Sequence, residues 1–192
     1  MRRMPWLVSL VSLVSLVCIV AAPAMAATAA FKLESPALKP GATLTEEQVF
    51  NGFGCSGKNL SPALQWSGAP EGTKSFALTL YDPDAPTGSG WWHWVVYNIP
   101  ASATSLPEGA GSPDGEKLPS GSVQGRTDFG APGFGGACPP KGDKPHRYIF
   151  TIYALKTEKL DAPAEATAAL VGFMIHGNKL ASATLMARYG RP

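Results

Sequence analysis

Ser75-Phe76-Ala77-Leu78-Thr79-Leu80-Tyr81, running straight into Asp82-Pro83-Asp84-Ala85-Pro86, is the stretch from which the fold is read. An uncharged run of apolar and hydroxyl residues, closed by an Asp-Pro turn signal, predicts a buried strand. Trp94-Val95-Val96-Tyr97-Asn98-Ile99, stopped by Pro100, is a second strand. His146-Arg147-Tyr148-Ile149-Phe150-Thr151-Ile152-Tyr153-Ala154-Leu155 is the third and longest. Leu180 to Tyr189 alternates small and larger residues, the pattern of a closing strand. Ala164 to Ile175 is rich in Ala and Leu and predicts a helix, with Pro163 near its first turn. Strands outnumber helices and Gly and Pro punctuate the chain throughout. The expected fold is therefore mainly β, a sandwich-like domain with one or two peripheral helices.

The first 26 residues stand apart. Arg2 and Arg3 make a basic start, Leu7 to Ala22 is an apolar run, and Ala24-Met25-Ala26 has the small-x-small shape of a signal-peptidase site. About 16 apolar residues fall short of the roughly 20 needed to span a bilayer. The expectation is a cleaved export signal over 1–26, a single domain over 27–192, and a periplasmic or secreted protein with no transmembrane segment after cleavage. The whole chain has 16 Lys+Arg against 14 Asp+Glu, and losing Arg2 and Arg3 leaves the two signs equal. No basic stripe remains for a nucleic acid.

Cys18 leaves with the leader, so the mature chain keeps Cys55 and Cys138. An even count in an exported chain reads as a disulfide. It would close a loop of about 83 residues and contribute roughly 4 kcal/mol in the chain-entropy model. Two separate buried thiols are the other reading, and only the Cα separation decides between them.

Candidate site residues gather at strand ends. His146 and Tyr148 are two apart on one strand and share a face. His93 stands at the start of another strand, and Asp82 and Asp84 follow the end of a third. Sites are commonly built at such places, beside loops. From Ala101 to Pro145 the chain shows little periodicity and much Gly, Pro and Ser, with Phe129 and Phe134 among the glycines. A loop this long in a compact domain is functional or disordered, and the aromatics and Cys138 favour an ordered pocket wall. Two imidazoles and a phenol offer donors to an anion, and a nearby carboxylate would orient a histidine. Backbone N–H groups around Gly135-Gly136 would add donors in a small nest. Trp91, Trp92 and Trp94 would wall whatever carries the anion.

Other chemistries fit less well. Two His and two Asp suit a divalent metal, yet no tight His or Cys pair is present. A hydrolase or phosphate-transfer enzyme using His/Asp acid-base chemistry is the alternative, with no Gly-x-Ser-x-Gly elbow to supply its nucleophile. The glycine-rich run before Cys138 leads into Pro139-Pro140 rather than Gly-Lys-Ser/Thr, which excludes a nucleotide P-loop. No catalytic residue, metal or cofactor is assigned.

Three segments together carry a resemblance. Asp82-Pro83-Asp84-Ala85-Pro86, Trp92-His93-Trp94-Val95-Val96-Tyr97-Asn98-Ile99-Pro100, and Pro139-Pro140-Lys141-Gly142 with His146-Arg147-Tyr148 resemble the phosphatidylethanolamine-binding protein family. The match is to its bacterial Raf-kinase-inhibitor-like branch and covers nearly all of the mature chain. The resemblance implies a large antiparallel sheet packed against a smaller one, with a small pocket for phosphate-like groups. It implies that Asp82, His93, His146, Tyr148 and Cys138 bind the anion, with Asp84, Gly136 and Pro139 in support. The implied partner is an anionic small molecule or phospholipid head group, with inhibition or modulation of a protein partner as a further role.

Overall fold

The computed structural model describes residues 30–163 and 165–192. The predicted leader and the cleavage point before Ala27 lie outside the described residues, as does Ala164. In chain order the elements are β1 (Lys32–Glu34), β2 (Asn51–Gly52), β3 (Cys55–Ser56), β4 (Leu64–Ser67), β5 (Ser75–Asp82), β6 (Trp91–Pro100), β7 (Ser105–Leu106), β8 (Val123–Gln124), β9 (His146–Leu155), α1 (Ala168–Asn178) and β10 (Lys179–Tyr189). A five-stranded antiparallel sheet has the order β10-β9-β5-β6-β8, and a smaller sheet the order β1-β4-β7. β2 and β3 form a separate hairpin. Among the described residues, no helix is long and apolar enough to cross a membrane.

β5 lacks a two-residue alternation because both of its faces are covered. Phe76, Leu78 and Leu80 join Leu33, Trp66, Trp94, Phe150 and Ile152 in the core cluster that draws on both sheets. Ala77 faces the other way and packs with Val95, Tyr97, Leu155, Val171 and Ile175, the last two from α1. A central strand sealed on both sides carries apolar residues at successive positions, as the sequence does at 76–78.

Several boundaries differ from the sequence expectation. The helix starts at Ala168, not Ala164, because Thr167 caps it: the Thr167 hydroxyl accepts from Leu170 N at 3.2 Å. Pro163 therefore lies upstream of the helix. The stretch 101–145 is ordered, as expected, but contains β7 and β8, two-residue ladders too short to leave a periodic signal. β6 begins at Trp91, three residues early, and contains two irregularities that shift its register against β5. At the first, Asn98 takes φ +58°, and its amide clasps Leu160, accepting from its N at 2.7 Å and donating to its O at 3.3 Å. The second falls at His93 and shapes the pocket.

Candidate functional site

Three strand ends meet at one end of the large sheet. On β5, Asp82 continues the core-facing parity of Leu78 and Leu80 and is buried. On β9, His146 and Tyr148 continue the parity of Phe150 and Ile152, and both are buried. His93 on β6 reaches the same place by a different route. Leu80 pairs with Trp94 and Tyr81 with Trp92, so His93 is the extra residue of a β-bulge. Without that extra residue, His93 would share the face of Val95 and Tyr97, beneath α1. The bulge turns it toward Tyr148, and the two rings meet edge to face at 5.2 Å.

The space between these strands is a cavity of about 170 Å³, lined by Asp82, His93, His146 and Tyr148 from the sheet. Ala85, Pro86 and Thr87 from the turn after β5 close one side, and Cys138, Pro139 and Pro140 another. Phe129 stands edge-on to both His93 and Trp91, each at 5.4 Å, and Phe53 stacks on it at 5.9 Å. Phe53 is 70% exposed at the rim. It sits in the two-residue turn of the β2–β3 hairpin at φ +53°, followed by Gly54 at φ +77°. That left-handed pair matches the twist of a tight hairpin. The Cys55–Cys138 disulfide, with Cα atoms 6.0 Å apart, ties the hairpin to the glycine-rich wall.

The polar groups form one connected array at His146 and a separate one at His93. His146 Nδ1 donates to Asp82 Oδ2 at 2.7 Å, and Nε2 stands 3.3 Å from Asp143 Oδ2. Asp82 also accepts from Asp84 N at 2.8 Å. Asp84 in turn is held by Arg147, which donates from its backbone N, Nε and Nη2 at 2.9, 2.9 and 2.7 Å. Those bonds bring the Asp84 carboxyl down to about 2. At the other array, His93 Nδ1 donates to Gly135 O at 2.7 Å. Burial pushes the His93 imidazole down to about 4, so it is neutral at pH 7. Among the described residues its Nε2 is buried with no partner, and so is the Tyr148 hydroxyl. Burial raises the Tyr148 phenol, which keeps its proton.

The expected residues are sorted by this geometry. Asp82, His93, His146, Tyr148, Cys138 and Pro139 all line the pocket, while Asp84 supports it from behind through its own N–H. Gly136 does not donate to the pocket: its N–H goes to Asn59 Oδ1 at 2.7 Å. Gly135 N donates to His93 O and Ala137 N to Gln48 O, so these donors hold the wall rather than forming a nest. Gly136 serves by its size, since a Cβ there would meet Gln48 O at 2.3 Å. Of the three tryptophans, only Trp91 lines the pocket. Trp92 packs on Tyr81, and Trp94 is core, its Nε1 donating to Gln124 Oε1. Asn59 and Asp143 are contributors that the sequence reading missed, and neither lies in a motif that would have marked it. Among the described residues, no three His, Cys, Asp or Glu side chains gather to hold a metal ion.

Comparison with known proteins agrees with this architecture. The family model for phosphatidylethanolamine-binding protein matches residues 34–190. YbcL of Escherichia coli K12 is 62% identical over 164 residues, covering 85% of this chain and 90% of its own length. YbhB of the same strain is 53% identical over 158 residues, covering 82% and 99%. The crystal structure of E. coli YbcL, described as a new member of the mammalian PEBP family, superposes with a TM-score of 0.84 at 60% identity, over 85% of this chain and 100% of that one. A carboxypeptidase Y inhibitor, solved in complex with its cognate proteinase, shares the fold at a TM-score of 0.50 and 20% identity, over 84% and 83%. The chain belongs to the phosphatidylethanolamine-binding protein family, in the bacterial branch of YbcL and YbhB.

Proposed function

We propose that this protein is exported and captures an oxyanion, a phosphate or phosphorylated head group, in the pocket between β5, β6 and β9. One observation carries the reading: His93 Nε2 and the Tyr148 hydroxyl are buried at the same small pocket, each without a partner. An unpaired buried polar group costs about 1–3 kcal/mol, and a ligand that pairs both recovers that cost. The aromatic rim of Phe53, Phe129 and Trp91 suits the organic part of such a ligand. Export is supported by the leader-like 1–26 segment and by a disulfide, which persists in oxidising compartments. Inhibition or modulation of a protein partner would act through the same mouth, where Phe53 is exposed. A hydrolase is less well supported, because the sulfur at the pocket, Cys138, is bonded to Cys55 and offers no thiolate.

The test is a titration with phosphate and with O-phosphoethanolamine, following the imidazole resonances of His93 and His146. Ligand capture moves the His93 signals at millimolar concentration or below. If both histidines stay still throughout, the pocket is not a ligand site.

A further inference from the structure

The unpartnered group on His93 is an acceptor, and that restricts what an anion must look like. We infer, building on the anion-capture reading above, that the pocket takes an oxyanion that still carries a proton. Hydrogen phosphate or a phosphomonoester monoanion would enter, whereas sulfate and phosphodiesters would be turned away.

The backbone around His93 fixes which ring nitrogen is free. Only an N–H can pair with a carbonyl oxygen, so Nδ1 carries the imidazole proton that goes to Gly135 O at 2.7 Å. Gly135 is fixed in return, its own N–H donating to His93 O at 2.9 Å. Phe129 packs so closely on Gly135 that a Cβ there would lie 2.1 Å from its ring. The imidazole is thus clamped in one orientation and one tautomer, with the Nε2 lone pair left at the pocket wall. The groups around it do not reverse this. Asp82 on β5 and Asp128 in the loop after β8 favour a second proton, but burial outweighs them. His146 on β9 is engaged with Asp82 and Asp143. Tyr148 on β9 presents its edge-to-face ring and an unpartnered hydroxyl.

The pocket therefore offers one free donor, the Tyr148 O–H, beside two acceptors, the His93 Nε2 and the Asp82 carboxylate. An oxygen without a proton would set its lone pair against that of Nε2. A singly protonated phosphate answers both groups, its O–H donating to Nε2 and another oxygen accepting from Tyr148. Sulfate has the same shape and no proton near neutral pH. A phosphodiester has the same single charge as the monoester monoanion, again with no O–H. A site built around a substrate hydroxyl rejects analogues lacking it far more strongly than an apolar pocket distinguishes sizes.

The experiment is calorimetric titration of the purified protein at pH 5.5 with inorganic phosphate, sulfate, O-phosphoethanolamine and glycerophosphoethanolamine. Phosphate and the monoester should bind about tenfold or more tightly than sulfate and the diester. The affinity for O-phosphoethanolamine should fall several-fold by pH 8, as its protonated monoanion gives way to a dianion with no O–H, whereas inorganic phosphate keeps an O–H in both ionic forms and should lose less. Tyr148→Phe should weaken phosphate while leaving phosphate preferred over sulfate, because Nε2 is untouched. Sulfate or the diester binding as well as phosphate overturns the proton requirement and leaves anion capture standing. So does a bound-state His93 that carries both ring protons in its nitrogen spectrum. Binding of none of the four at millimolar concentration overturns this inference and the anion-capture reading together.

Discussion

Two histidines in one small pocket occupy opposite situations. At the His146 corner both ring nitrogens face carboxylates, Asp82 at 2.7 Å and Asp143 at 3.3 Å, and the array extends through Asp84 to Arg147. At the His93 corner one nitrogen is held by a backbone carbonyl and the other has no partner among the described residues. The first corner stands on regular strand ends; the second stands on a bulge, backed by a glycine-rich wall that a disulfide ties down. A corner whose polar groups pair with one another contributes to holding the fold. A corner that ends in an unpaired buried atom is the one with something left to bind.

Three perturbations would sharpen this contrast. The largest effect is expected from Cys55→Ser with Cys138→Ser, which opens a loop of 83 residues. Denaturant unfolding should show a loss of roughly 4 kcal/mol, and hydrogen exchange should rise first at Gly135 and Gly136 while His146 stays protected. Rapid exchange at β9 in step with the wall would mean the two corners are not separate units. Next comes Asp82→Asn, which removes one partner of a buried pair and should cost on the order of 3 kcal/mol by thermal or chemical unfolding. The His93 Nδ1–Gly135 bond should survive it, seen as an unchanged His93 tautomer.

The third is a pH effect of similar or smaller size. The folded His93 pKa, about 4, lies below the ordinary value of 6.5, so the unfolded chain takes up this proton first. Its stabilising effect is fully present above pH 6.5 and is lost as pH falls toward 4. The loss across that window is on the order of 3 kcal/mol at most. His93→Gln should flatten that limb of the stability curve. An equally steep limb in the variant would assign it to another group.

Much of the sheet was legible because burial leaves a pattern in the chain. The parity of His146, Tyr148, Phe150 and Ile152 placed four side chains on one face, and the structure buries all four there. The uncharged run of β5 marked a strand covered on both sides. β1, β4 and β7 were not legible as strands, since two to four residues carry too little periodicity to stand out from loops. Asn59 and Asp143 were not legible either. Asn59 acts 77 residues away on Gly136. Asp143 sits three residues before His146, and its side chain reaches forward to it.

The sequence by itself determined the mainly β class, the sharing of a face by His146 and Tyr148, the convergence of chemistry at strand ends, and a pair of cysteines suited to bridging. All of these follow from local composition and period. Tertiary structure decided which way His93 points, since one inserted residue in the β5–β6 ladder reverses its face without altering residue types. It also decided which donors remain free. The Gly135 and Gly136 N–H groups are claimed by His93 and Asn59, while His93 Nε2 and the Tyr148 hydroxyl are left over. Hydrogen bonds between distant segments depend on which atoms come within about 3 Å, and no local pattern in a chain records that.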